Sequence, residues 1–240
     1  MNVAIIGASS EIAFNLWKII TEKGNNCILT SSDPQKCSLY PEEVRSSIQQ
    51  MDITSFENIE RVIARWHQVN VLVYCPGIIG FKPLITITDD EIIRFFNINV
   101  FGFIRVVREA VRQKKISEGG SILAISSAGT RVPLMAACLY TASKGALEST
   151  VRALAVELAH LSIRVNAIAP SIILTEKVKQ NREKAKNTPL EHTIEYQDKK
   201  HLLGVLTPEH VAYAIYNIFC TDNYPLTGQV ILLDSGFSIT

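Results

Sequence analysis

Tyr140 and Lys144 stand four residues apart in Tyr140-Thr141-Ala142-Ser143-Lys144, within a stretch of helical period, so phenol and ammonium share one helix face. That pairing suits proton transfer. A phenol titrating near 10 is a poor acid or base at neutral pH, and lowering its pKa by about 3 units requires roughly 4 kcal/mol. A cation about 4 Å away, at an effective dielectric near 20, supplies that order of energy. Alone, the same spacing also describes a surface tyrosine beside a snorkelling lysine, so its meaning depends on the elements around it.

A second chemical signal is Gly7-Ala8-Ser9-Ser10-Glu11-Ile12-Ala13, which lies between an apolar run and a helical segment. Gly7 permits a tight turn, Ser9 and Ser10 carry hydroxyls, and the free N–H groups at the following helix start face an anion such as a pyrophosphate. Simple strand-to-helix turns often look the same. Its place after the first strand is what distinguishes it.

The elements that must position these residues alternate along the whole chain. Apolar, β-branched runs at 3–6, 27–30, 71–74, 121–126, 163–168 and 228–233 read as strands, and 48–51 as a weaker, edge-like strand. Between them come helical periods: Ile12, Leu16, Ile19 and Ile20 on one face, then 55–68 with Ile59, Val62, Ile63 and Trp66, one or two helices across 88–115, and helices 139–160 and 208–220. Continuous apolar strands separated by helices predict an α/β fold, a doubly wound parallel sheet of about seven strands with helices on both faces in three layers. No repeat or linker divides the chain, which reads as one domain over 1–240. A polar, strandless insertion, 176–201 at its core and about 174–206 overall, breaks the rhythm; such a stretch is either a functional loop or a solvated surface segment.

With turn and Tyr-Lys pair placed on these elements, the sequence resembles the short-chain dehydrogenase/reductase family in its single-domain form, similar to the carbonyl reductases that act like 3-oxoacyl-carrier-protein reductases. Ser127, thirteen residues before Tyr140, matches the substrate-polarising serine, and Asn99 in Asn99-Val100-Phe101-Gly102 matches the asparagine of N-x-x-G, which holds a relay water. The resemblance therefore implies a catalytic set of Asn99, Ser127, Tyr140 and Lys144 on a Rossmann-type sheet. It further implies cofactor contacts from Gly7, Ser9, Ser10, Glu11 and Ile12, from Ser31 and Ser32, and from the acidic-apolar pair Asp52-Ile53. Cys75, Pro76 and Gly77, and Pro170, Ser171, Ile173 and Thr175 around N-x-x-x-P-G, complete the cofactor set, together with Asn99, Tyr140 and Lys144 themselves. Leu203-Gly204, Thr207-Pro208-Glu209, Thr227-Gly228-Gln229 and Asp234-Ser235-Gly236 match the C-terminal pattern, so the likeness runs over essentially residues 2 to 238.

Departures cluster in the cofactor cradle. T-G-x-x-x-G-x-G keeps only Gly7, with Glu11 and Ala13 at the later glycines, and N-N-A-G is Tyr74-Cys75-Pro76-Gly77. Glu11 favours the helix dipole but repels a pyrophosphate unless it turns outward; Pro76 removes a backbone donor; Ser171 replaces a glycine beside the nicotinamide. At the end of the second strand, Ser31 and Ser32 supply neither the acid that selects NAD nor an arginine for the extra phosphate. Their hydroxyls, with Lys36 nearby, favour NADP(H); Asp33 and Glu11 argue the other way and keep NAD(H) open.

The apolar stretch Val132 to Leu139 points to a hydrophobic or modest-sized carbonyl or alcohol substrate, unless it is core or subunit contact, and the basic excess in 176–186 to an anionic substrate tail or a solvated face. Helix 139–160 offers Ala142, Ala146, Ala153, Ala155 and Ala159 for close helix pairing, and the family assembles as homotetramers or homodimers. Alternatives are a nucleotide-binding regulator or scaffold without chemistry, motivated by Glu11 and Pro76, and a nucleotide-sugar epimerase or dehydratase, for which the chain is short and its turn too loose.

Composition excludes other classes. Lys and Arg total 24 against 23 Asp and Glu, a net charge of +1, so no general field draws the chain to nucleic acid or an anionic membrane. Five cysteines, at 27, 37, 75, 138 and 220, form neither a C-x-x-C pair nor a zinc pattern, so no metal is expected. The start lacks a basic signal-peptide region, and no apolar run reaches the roughly 18 residues of a membrane span. These features predict a protein of a reducing, cytoplasmic compartment.

Overall fold

Strands form where β-branched and apolar residues run uninterrupted, and each is followed by an amphipathic segment long enough to cross back over the sheet. A computed structural model describes residues 1–220 and 225–240. In chain order its first half holds β1 (Asn2–Ile6), α1 (Glu11–Glu22), β2 (Asn26–Ser31), α2 (Glu42–Ser47), β3 (Gln49–Gln50), α3 (Phe56–Ala64), β4 (Val69–Tyr74), α4 (Asp89–Phe96) and α5 (Gly102–Arg112). The second half holds β5 (Ile116–Ile125), α6 (Cys138–Glu157), β6 (Arg164–Pro170), α7 (Glu176–Ala185), α8 (Pro189–Lys199), α9 (Pro208–Cys220) and β7 (Val230–Leu233). Four helix starts carry side-chain caps: Ser10, Ser55 and Thr175 each accept an N–H of the first turn, and Thr88 with Glu91 forms a reciprocal capping box.

All seven strands are parallel, in the order β3-β2-β1-β4-β5-β6-β7. Strand order reverses between β1 and β4, the switch point at which doubly wound sheets open a crevice. One face of the sheet is covered by Ile59 and Val62 of α3, Phe103 and Val106 of α5, and Leu147 and Val151 of α6. The other is covered by Leu16 and Ile20 of α1 with Val211 and Ile215 of α9. Each of these fully buried side chains stabilises the fold by about 1.5–3 kcal/mol. The expected three-layer arrangement is what forms.

Several boundaries differ from the sequence reading for local reasons. The helix expected over 55–68 stops at Ala64, because Trp66 turns into the core at 2% exposure and donates Nε1–H to Gln49 Oε1 at 3.1 Å. β5 starts at Ile116 rather than 121; its pairing with β4 shifts register between Val69 and Val71, beside Gly119 at φ +74° and Gly120, whose absent Cβ would stand 2.8 Å from the Ser117 carbonyl. A bulge of this kind needs residues without side chains. The stretch 88–115 holds two α-helices joined by a π-helical turn at Asn97–Phe101. The short α2, rich in Glu and Ser, carries no apolar period and was not foreseen. The insertion is strandless, as expected, but helical: α7 and α8 are joined by a bidentate Arg182–Asp198 pair, both bonds 2.7 Å.

Candidate active site

Parallel register brings the carboxyl ends of the strands to one edge: Ile6 pairs with Thr30 and Tyr74, Tyr74 with Ala124, and Ile125 with Ile168. The residues that follow, Gly7, Ser32, Cys75 to Gly77, Ser126 and Ser127, and Ser171, therefore share one rim. Sequence spacing alone does not bring them there; sheet order does.

Helix α6 lies against this rim. Lys144 is 3% exposed, and its ammonium donates to the Ile125 carbonyl at 2.7 Å. Burial pulls its pKa down to about 8, opposed by the nearby Cys75 and Glu148. Tyr140, one turn earlier, is pushed above the ordinary phenol value by burial, which hydrogen bonding with the Ser127 side chain partly offsets. Ser127 Oγ accepts the Gly129 N–H at 3.1 Å, which leaves its own proton for donation. Serine and tyrosine converge on Gly129, where a Cβ would stand 3.2 Å from Ser127 Oγ and 3.9 Å from the Tyr140 ring. The chain's own groups leave Tyr140 raised, because desolvation outweighs the hydrogen bond from Ser127.

Asn99 is fully buried on the π-helical turn, a distortion that often marks functional positions. Its Oδ1 accepts the Ile78 N–H at 2.8 Å, and its Nδ2 donates to the Ile78 carbonyl and to Ser143 Oγ at 3.0 and 2.9 Å. Ser143 Oγ donates in turn to the Tyr140 carbonyl at 2.7 Å. Gly77 lies between the two polar groups, since a Cβ there would meet Lys144 Nζ at 3.1 Å and Asn99 Oδ1 at 3.6 Å. Asn99, Ser127, Tyr140 and Lys144 are thus brought to one locality by β4, β5, α6 and the turn between α4 and α5.

In the cradle, Gly7 adopts φ +83°, and Pro76 packs so closely that a Cβ on Gly7 would stand 3.0 Å from Pro76 Cγ. Ser9 is exposed; Ser10 Oγ accepts the Ala13 N–H at 3.0 Å. Among the described residues, no protein group accepts the N–H of Glu11 or Ile12, which leaves two leading donors of α1 for an anion. The Glu11 carboxylate turns to the insertion, accepting the Glu176 N–H at the first turn of α7 at 2.8 Å. Its charge thus lies at two helix N-termini, where the dipoles favour it. Thr175 caps α7 through Oγ1, and Ile173 bridges to Leu206.

Ser31 is 2% exposed, and its hydroxyl is used inside the turn, donating to the Asp33 carbonyl at 3.0 Å and accepting the Asp33 N–H at 3.2 Å. Ser32 is exposed. Asp33 accepts the Gln35 N–H and pairs with Lys36 at 3.1 Å. The exposed Asp52 accepts from the N–H and hydroxyl of Thr54, while Ile53 is buried. Burial pushes the Cys75 thiol up to about 12. Pro170 is buried, ending β6.

Three polar residues at the site have roles that the sequence reading did not assign. Tyr74 is fully buried and donates its hydroxyl to the Ile98 carbonyl at 2.7 Å, bracing the turn that carries Asn99; Gly102 makes room for it, since a Cβ there would meet that hydroxyl at 2.5 Å. His201, 4% exposed, stacks on Phe237 and holds Ser171 Oγ at 2.9 Å through Nε2. Its Nδ1 donates to the Gln197 carbonyl at 2.9 Å, since a carbonyl oxygen can only accept. Glu148 accepts the hydroxyls of Ser126 and Thr130. Beside the rim, Gly80, Phe81, Lys82, Phe95, Ala136 and Leu139 line a cavity of about 140 Å³. Among the described residues there is no cluster of metal-ligating side chains and no helix long and apolar enough to cross a membrane.

Comparison with known proteins agrees with this geometry: the family model described as enoyl-(acyl carrier protein) reductase matches residues 7–238. The chain belongs to the short-chain dehydrogenase/reductase family. Over 99% of this chain and 94% of the relative it is 26% identical to an NAD-dependent glycerol dehydrogenase of Listeria innocua. With an uncharacterized oxidoreductase of Methylorubrum extorquens it shares 35% identity over 118 residues, 49% of this chain, and spans about half (47%) of that relative's length. The solved structure of ElxO with NADP bound shares the fold, with a TM-score of 0.85 at 24% identity over 100% of this chain and 99% of the other. As a member of the short-chain dehydrogenase/reductase family, the chain carries Glu11, Pro76 and Ser171 on the rim where its strands end.

Proposed function

We propose that the protein is an NAD(P)(H)-dependent oxidoreductase that reduces a carbonyl, or oxidises a secondary alcohol, with Tyr140 moving the proton. The observation that carries this reading is the convergence of Ser127 and Tyr140 on Gly129, with the buried Lys144 one helical turn from the phenol. When bound, the nicotinamide supplies or takes the hydride. Ser127 would polarise the substrate oxygen by donating a hydrogen bond and keeping its own proton, and Tyr140 would transfer the single phenolic proton to that oxygen. Lys144 holds the cofactor ribose and favours the phenolate. Asn99, fixed on the Ile78 backbone, holds the relay that returns a proton to Tyr140.

The cradle suits a dinucleotide. Glu11 and Ile12 keep free N–H groups at the start of α1, and Gly77 leaves open the space beside Lys144. We favour NADP(H) over NAD(H): Ser32 is exposed at the end of β2, and Asp33, the nearest acid, is engaged by Gln35 and Lys36. The ElxO structure holds NADP, while the Listeria relative is named NAD-dependent, so both dinucleotides belong in the test. The remaining cofactor contacts follow from Gly7, Ser9, Ser10, Asp52, Ile53, Cys75, Pro76, Pro170, Ser171, Ile173 and Thr175.

The substrate is a small carbonyl or alcohol with an apolar body, in keeping with Phe81, Phe95 and Leu139 around the cavity. The chain acts as one domain in the cytoplasm, with 174–206 as its substrate loop, and assembles as a homodimer or homotetramer. Ala142, Ala153 and Ala159 lie exposed along α6 and the turn after it, with Val156 80% exposed among them. Calorimetric titration with NADPH and NADH, followed by a carbonyl panel read at the nicotinamide absorbance, tests the reading. Binding of one dinucleotide with turnover supports it; binding of neither at millimolar concentration would leave a scaffold that uses the fold without chemistry.

A further inference from the structure

The loop that carries Ser127 is fastened to α6 at successive points. Lys144 Nζ reaches the Ile125 carbonyl at 2.7 Å, and Thr141 Oγ1 the Gly129 carbonyl at 3.4 Å. Two further side-chain bonds lie farther along the helix. Ser126 Oγ donates to Glu148 Oε1 at 2.6 Å, and Thr130 Oγ1 donates to the same oxygen at 2.9 Å. Glu148 therefore grips the residue immediately before Ser127 and the residue three after it. Hydrogen bonds to a charged acceptor are the stronger kind, and Ser126 is only 3% exposed.

Chain geometry makes this grip matter. Ser127 closes its own short turn, accepting the Gly129 N–H through Oγ while its carbonyl accepts the Thr130 N–H at 3.2 Å. Those bonds fix the turn internally but not against the helix bearing Tyr140. Glu148 does that. It lies eight residues beyond Tyr140 and four beyond Lys144, so loop and reacting phenol are referred to one rigid element.

We propose that Glu148 is a positioning residue for the reaction, whose carboxylate, by accepting the hydroxyls of Ser126 and Thr130, sets the distance of Ser127 from Tyr140. This rests on the reading of Ser127 and Tyr140 as the pair that meets the substrate oxygen. A displacement of about 1 Å in such a pair can cost about a hundredfold in rate.

The test uses the full chain, NADPH and phenanthrenequinone as a reactive carbonyl probe. Glu148→Ala is expected to lower kcat by about a hundredfold while NADPH affinity, read by fluorescence titration, is unchanged. Glu148→Gln, which keeps an acceptor oxygen, is expected to recover most of that rate. Ser126→Ala with Thr130→Val is expected to reproduce the loss and to add nothing on the Glu148→Ala background, as partners in one network do. Unchanged kcat in Glu148→Ala, a Gln variant as slow as the Ala variant, or losses that multiply would each overturn the proposal. Should Glu148→Ala fail to fold, Ser126→Ala and Thr130→Val separately, each removing one donor, carry the same comparison. If the parent protein binds NADPH but reduces no carbonyl, the functional reading fails on its own, and Glu148 is judged by hydrogen exchange over 126–132. Faster exchange in Glu148→Ala but not in Glu148→Gln supports the clamp; equal exchange in all three proteins overturns it.

Discussion

The carboxylate of Glu11 accepts the backbone N–H of Glu176 at 2.8 Å, joining the turn between β1 and α1 to the first turn of α7 across 165 residues of sequence. The carboxylate thus serves as a cap on the insertion helix. It also places negative charge beside the two free N–H groups of α1.

Glu11→Gln should bind NADPH more tightly. Removing one charge near a pyrophosphate at the protein surface is worth on the order of 1 kcal/mol, roughly a factor of ten in Kd at most. Because the amide is a weaker acceptor, hydrogen exchange over 176–180 should speed up in the same variant. Unchanged affinity would show that the carboxylate lies clear of the phosphates.

Tyr140→Phe should keep dinucleotide affinity and lose turnover by roughly two to four orders of magnitude, the usual worth of a positioned acid-base group. Steady-state rates on any carbonyl that the parent protein reduces, paired with NADPH titration, decide it. Substantial residual kcat would remove the phenol from the mechanism.

Lys144 gives a pH signature. Its pKa falls from 10.5 to about 8 on folding because burial penalises the ammonium. Between those values the unfolded chain holds the extra proton, so stability rises with pH. Below pH 8 the burial cost is present in full, about 3 kcal/mol, and it is relieved as pH climbs toward 10.5. Melting temperatures of the parent protein and Lys144→Met, measured from pH 7 to 10.5, should therefore diverge in the parent's favour as pH rises. A constant difference would place the titration elsewhere.

Tyr74→Phe deletes the hydroxyl that meets the Ile98 carbonyl. Leaving that acceptor unpaired in the core should cost about 1–3 kcal/mol of stability, read by urea denaturation. Because the turn carries Asn99, kcat should fall more than the loss of folded protein explains.

Much of this was legible in the sequence. Strand and helix order and the edge position of 48–51 follow from periodicity, where local pattern and topology agree, while the candidate reaction centre comes from the family resemblance of its motif residues. Glu148, His201 and Tyr74 were not legible. Each looked like an ordinary helix, loop or strand residue, and each acquires its role from a partner distant in the chain: Ser126, Ser171 and Ile98.

What the sequence by itself determined is the set of chemical groups and the elements that carry them, because hydrophobic period and turn chemistry are local properties. Only the tertiary structure decided which way those groups face and what state they hold. Glu11 turns to α7, Ser31 spends its hydroxyl inside its own turn, and Tyr140 and Lys144 are shifted by burial. Those outcomes depend on desolvation and on partners brought together by strand order, and neither quantity exists until the chain has packed.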